Sequence, residues 1–161
     1  MRNAYDLETG WFGGDGNQYS YREIKDFLLS IEHKLEEIHI GTDSHLVSGR
    51  FYFATALCIK PPCGGHRYFI CRRKYPGKTF PTLRLRLHRE CHLSVQLACE
   101  LRTLLGESAE ITVHSDLNAS PAHKSNACTK ELTNYIKAMG FPSLIKPEAW
   151  ASCSVADKHA R

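Results

Sequence analysis

The chain has 161 residues, 42% hydrophobic and 24% charged, a composition that suits one soluble globular domain around a single core. No apolar run approaches the ~20 residues needed to cross a bilayer. The opening stretch MRNAYDLETGWFGGDGNQ lacks a signal-peptide core, so a cytoplasmic location is the expectation.

The net charge of +4 is unevenly spread. Nine Lys/Arg and no acid lie between Lys60 and Arg89. Such a block suggests a polyanionic partner, nucleic acid above all, or else a solubilising face. The seven cysteines include no C-x-x-C pair and read as thiols rather than disulfides. Cys58, Cys63 and Cys71 match no common zinc spacing.

In chain order, residues 1–19 read as an irregular lead-in with isolated aromatics at Tyr5, Trp11 and Phe12. A helix follows. Ser20 and Glu23 form an S-x-x-E capping box, and Ile24, Phe27, Leu28, Ile31 and Leu35 share one face. Three strands come next: Ile38–Leu46, Phe51–Lys60 and Arg67–Arg72. The turns between them are short, which favours antiparallel hairpins. Lys74–Pro81 reads as a loop. The longest helix spans roughly Leu85–Leu105 and ends at Gly106. The strand Ile111–Asp116 follows this helical crossover, so it should lie parallel to the first strand. After a polar loop, Asn118–Asn126, a helix runs to about Met139, with Gly140 suited to the left-handed position beyond it. Ser143–Lys146 is a short strand. Ser154 could cap a last helical turn with Asp157 three residues on.

Two stretches share one grammar. In IHIGTDSHL and ITVHSDLN, Ile38, Ile40, Thr42 and Asp43 match Ile111, Val113, Ser115 and Asp116. If the two strands are parallel neighbours, their carboxylates come within roughly 5 Å. Such a pair repels unless a proton or cation lies between. On the long helix, Leu93, Leu101 and Leu104 fall within about 40° of Leu97, and Glu90 falls at about 20°, inside the apolar stripe. Glu100 lies on its flank. A carboxylate on a buried face needs a partner: a metal shared with Asp43, or Arg86 or Arg89 beside it. On spacing alone Asp157 is a first-turn acid favoured by the helix dipole.

The element order, three antiparallel strands, then helix, strand, helix, strand and a terminal helix, is that of the ribonuclease-H-like fold. The chain resembles the YkuK-type ribonuclease-H-like family. The segments that carry the resemblance are IGTDSH at 40–45, LRLRLHRECHLS at 83–94, HSDLN at 114–118, HKSN at 123–126, MGF at 139–141 and IKPEAWASCSVADKH at 145–159. It implies an α/β fold with a five-stranded mixed sheet, order 3-2-1-4-5, flanked by helices. The N-terminal amphipathic helix is additional. Residues 1–37 would form a lead-in and helix packed on a ribonuclease-H-like domain at 38–161, the whole making one structural unit.

The resemblance also implies a metal-dependent nuclease site on Asp43, Glu90, Asp116 and Asp157, holding two Mg²⁺ or Mn²⁺ ions. It overrides the dipole account of Asp157. Asp43, from the central strand, is the candidate to bridge the ions. His123 or His159 could carry a proton to the leaving group, the alternative being a solvated ring. Arg72, Arg73, Lys74, Lys78, Arg84, Arg86, Lys124 and Lys158 would hold phosphates, contacts that give affinity without sequence information. The DEDD-type exonucleases share the fold but begin D-x-E, where this chain has His45 in D-S-H. The rival class is a binding module that holds RNA or a protein without cutting, though such a module gains nothing from clustered acids. An actin-like ATPase would need Gly-rich phosphate loops, so no nucleotide cofactor is expected. DNA, RNA, hybrid duplex and junction all present phosphates to such a site.

Overall fold

A computed structural model of the protein describes residues 10–61 and 65–161. Tyr5 and Cys63 lie outside them. The elements are β1 (Trp11–Gly13), β2 (Gln18–Tyr19), α1 (Tyr21–Ile31), β3 (Glu37–Val47), β4 (Arg50–Lys60), β5 (Arg67–Pro76), α2 (Leu83–Leu105), β6 (Ile111–Ser115), α3 (Asn126–Ala138) and β7 (Ser143–Leu144). A wide, π-type helical segment, Ala151–Ala156, then runs into α4 (Asp157–Ala160).

The single sheet has seven strands in the order β2-β1-β5-β4-β3-β6-β7. This corrects the expected five-stranded order. The residues read as an irregular lead-in supply two short strands, β1 pairing antiparallel with both β2 and β5. Trp11 anchors them, fully buried and stacked on Tyr21 with ring centroids 5.7 Å apart. Strands β5, β4, β3, β6 and β7 fill five consecutive places beyond them. Three further expectations are revised. β5 continues through Arg72 to Pro76, into the stretch read as a loop. β7 is two residues long. Ser154 lies inside the wide helical segment rather than capping a turn.

The capping box forms as read: Ser20 Oγ accepts from the Glu23 amide at 3.2 Å, and Glu23 Oε2 accepts from the Ser20 amide at 2.7 Å. These bonds satisfy donors that the first helical turn leaves orphaned. α1 ends at Ile31, and Leu35 lies beyond it in extended backbone. Tyr21 donates to Glu100 at 2.9 Å, which accounts for an acid on the flank of α2. Among the described cysteines, Cys58, Cys71, Cys91 and Cys128 are buried free thiols. No helix among the described residues is long and apolar enough to cross a membrane.

β3 is central and its two faces differ. Side chains alternate along a strand, so even-numbered residues face α2: Thr42 Oγ1 lies 2.8 Å from Ser94 Oγ, and Ser44 donates to Glu90 at 2.5 Å. Odd-numbered residues face the C-terminal helical segment. There the fit depends on Gly41. A Cβ at this position would lie 2.5 Å from the Ser152 backbone nitrogen and 2.8 Å from the Ala151 carbonyl carbon. A glycine inside a strand marks such a close approach of backbones. Ala54, Ala56, Ala151, Ala156 and Ala160 continue the small-residue contact.

A hydrogen-bonded chain of imidazoles ties down the same segment. The Ala151 amide donates to His114 Nδ1 at 3.1 Å, so a neutral His114 carries its proton on Nε2. That nitrogen donates to His39 Nδ1 at 3.0 Å, and His39 Nε2 donates to Glu37 at 3.0 Å. Burial, and then the neighbouring His39, push the His114 pKa down to about 4, so the neutral form this chain requires is the stable one.

Gly41→Ala should destabilise the protein by ~1–3 kcal/mol, the usual cost of forcing atoms into a packed contact, measured by urea unfolding. Wild-type stability in that variant would show that the C-terminal segment is not seated on β3.

Candidate metal centre

β3 and β6 run parallel with Ile38 opposite Ile111, Ile40 opposite Val113 and Thr42 opposite Ser115. One step further sets Asp43 against Asp116. The shared grammar of the two stretches is therefore a shared register. Asp43 is buried within the central strand, level with the point where β6 ends.

Three other acids act on Asp43, each from a different element. Glu90 reaches the site from the buried face of α2, where it accepts from Ser44 and faces Arg86 Nε at 3.8 Å. Of its candidate partners Arg86 is in place, and the charges of Asp43 and Asp116 act on Glu90 as well. Arg89 instead donates to Tyr75 at 2.8 Å. Asp157 is delivered by α4. His45 Nε2 sits 2.6 Å from Asp157 Oδ1 and 3.2 Å from Asp43 Oδ2, linking the two. Asp116 lies just past β6, its Oδ1 2.5 Å from Lys146 Nζ and 3.4 Å from the Cys153 thiol, which donates to it.

Burial, and then the charge of Asp116, push the Asp43 pKa up to about 6. Burial, and then the charge of Asp43, push Glu90 up to about 8. Burial also pushes on Asp157, but hydrogen bonds with His45, Asp43 and Arg161 outweigh it and hold this carboxyl below its ordinary value. Asp43 is the common member of these interactions. Desolvation and like charge both oppose its ionised form, and a cation would relieve both.

Asp43, His45 and Asp157 each offer a ligand atom, and these atoms all lie within 4.8 Å of one another. Two carboxylates and an imidazole suit Mg²⁺ through oxygen and Mn²⁺ through either donor type. The donor set therefore fits a divalent ion. His45 was read in the sequence only as a departure from D-x-E. Its position two residues beyond Asp43, on the same strand face, was the signal that could have found it. Ser44, Lys146 and Cys153 are the other contacts that the sequence reading did not single out.

The remaining predicted residues divide. Asp43, Ala54 and Arg72 stand in one cross-strand row, and His45, Tyr52 and Lys74 in the next. Arg72 and Lys74 lie 5.7 Å and 5.4 Å from the Tyr52 ring centroid, on the face of the sheet that carries Asp43. Arg73 alternates to the other face. Arg84 bonds both Glu131 oxygens, at 3.0 and 3.1 Å, and Arg86 faces Glu90. Lys78, His123, Lys124 and Lys158 are exposed, the two middle ones in the loop before α3. His159 packs toward Tyr68, ring centroids 5.8 Å apart, rather than toward Asp157.

A mixed sheet flanked by helices, carrying the Asp43, His45 and Asp157 group on its central strand and last helix, matches the ribonuclease-H-like class. The chain belongs to the Ribonuclease H-like family, whose model matches residues 20–161. No curated protein and no solved structure matches it.

Glu90 gives a pH test on metal-free protein. Its folded pKa of about 8 lies above the unfolded value of 4.5, so the folded state retains the proton across that window. The associated stability is fully present below the unfolded pKa and is lost as pH rises through the folded one. Glu90→Gln should flatten this loss and be more stable than wild type above pH 8, as read by thermal unfolding. Parallel pH curves for the two proteins would contradict the burial of an acid at this position.

Proposed function

We propose that this protein is a divalent-metal-dependent nuclease that hydrolyses phosphodiester bonds in nucleic acid, RNA or an RNA/DNA hybrid being the favoured substrate. The observation that carries this reading is Asp43, desolvated, opposed by Asp116 and Glu90, and linked through His45 to Asp157. A carboxylate placed this way is unfavourable without a cation and useful with one.

Asp43, Asp157 and His45 would hold one ion, and Asp43, Glu90 and Asp116 would complete a second set in the two-ion form of the site. Bound Mg²⁺ or Mn²⁺ supplies Lewis-acid polarisation of a phosphoryl oxygen and lowers the pKa of water. The chain's own groups supply the rest. Arg72 and Lys74, in register with Asp43 and His45, hold the phosphates that flank the reacting one. Lys78, Lys124 and Lys158 extend the cationic surface, with Arg73, Arg84 and Arg86 as further candidates. These contacts set position and salt dependence rather than sequence preference. His123, on an exposed loop, or His159 is the candidate to hand a proton to the leaving oxygen. A module that only bound a polyanion would gain nothing from desolvated acids facing its ligand, so hydrolysis is the better reading.

Asp43→Asn should lower Mn²⁺-dependent cleavage of labelled RNA, DNA or hybrid by more than about 100-fold. The loss should exceed that for an outer-shell residue, while thermal unfolding shows the fold intact. Undiminished cleavage by the folded variant would sink the assignment.

A further inference from the structure

Among the four acids, Asp116 has the shortest contact with a Lys or Arg of the chain. Lys146 Nζ stands 2.5 Å from Asp116 Oδ1. The lysine is placed by backbone, since its amide donates to the Leu117 carbonyl at 3.0 Å just past the end of β6. It is therefore fixed beside Asp116 at its root, while its side chain remains 42% accessible. Such a side chain can leave the carboxylate for water and return. A lysine side chain is an ammonium at neutral pH. The Cys153 thiol donates to the same oxygen at 3.4 Å.

The neighbouring set is different. Asp43, His45 and Asp157 converge, and the guanidinium at Asp157 is that of Arg161, 69% exposed. An exposed pair of this kind is weak.

We propose that Lys146 is the resident cation of the Asp116 subsite and competes there with a second divalent ion. An ammonium and an ion cannot share one carboxylate oxygen without like-charge repulsion. A first ion can bind at Asp43, His45 and Asp157 with Lys146 in place. A second ion at Asp116 would meet the ammonium's charge at Oδ1, so tight binding there would require Lys146 to move away. With a nucleic acid bound, the displaced ammonium would have a phosphate oxygen as a charged acceptor. Lys146 thus couples loading of the Asp116 subsite to the arrival of a phosphodiester. This inference rests on the nuclease reading for the identity of that phosphate.

The test is calorimetric titration of the full chain with Mn²⁺ and no substrate, comparing wild type, Lys146→Met and Lys146→Arg. In wild type and Lys146→Arg, one ion should bind clearly and a second weakly. Lys146→Met should tighten the second by at least about tenfold, equivalent to ~1.4 kcal/mol, and leave the first within about twofold. Lys146→Gln serves the same comparison should the methionine variant not fold. Equal stoichiometry and affinity in wild type and Lys146→Met would overturn the role of Lys146 while leaving a metal site. No Mn²⁺ binding by any of the proteins would overturn both it and the metal reading.

Discussion

Asp43 sits out of water on the central strand, beside the end of β6, and the acids Asp116, Glu90 and Asp157 all interact with it. Each alone is tolerable: a carboxyl can be buried if protonated, or ionised if paired. Together they leave the strand end with unbalanced negative charge, eased by a proton held on Glu90, by His45 between two carboxylates, and by Lys146 against the third. Each of these reliefs occupies a position that a divalent ion could take over. The fit of the site to a divalent ion and its excess of negative charge have the same origin.

The rest of the fold maintains that arrangement. The parallel register of β3 and β6 brings two aspartates side by side from strands far apart in sequence. α2 crosses the even-numbered face of β3 and presents Glu90 beside Ser44. The C-terminal segment covers the odd-numbered face, and its close seating on Gly41 allows α4 to bring Asp157 within reach of His45. The chain from Ala151 through His114 and His39 to Glu37 secures the same segment, and its polarity requires His114 to stay neutral. These bonds satisfy the Ala151 amide and both imidazoles within the protein, as is usual for buried polar groups.

Much of this was legible in the residues because strong periodicities carried it. Alternating β-branched residues ending in a hydroxyl and an aspartate, twice over, revealed the strand pair and its register. Helical spacing put Glu90 on the buried face of α2. Asp157 was different: an acid in a first helical turn already has an explanation in the dipole, and only the family resemblance gave it a role in the site. What escaped the sequence reading has physical causes. Strands of two and three residues, such as β1 and β2, are too short to show a period. The outer half of β5 is rich in Arg and Lys, the charges that suit an uncovered strand edge, and so resembles a loop. The wide helical segment is built of Ala, Ser and Cys, small residues chosen by close packing on the sheet rather than by any repeat. Lys146 meets Asp116 through a tertiary contact with no local signature.

The central claim is that Asp43 organises a divalent-cation site with His45 and Asp157. The most direct test is a crystal structure of the protein soaked with Mn²⁺, read by anomalous scattering. The account predicts a peak bounded by the carboxylates of Asp43 and Asp157 and by His45 Nε2. A saturating soak with no peak there, or with peaks only at acids elsewhere, would contradict it.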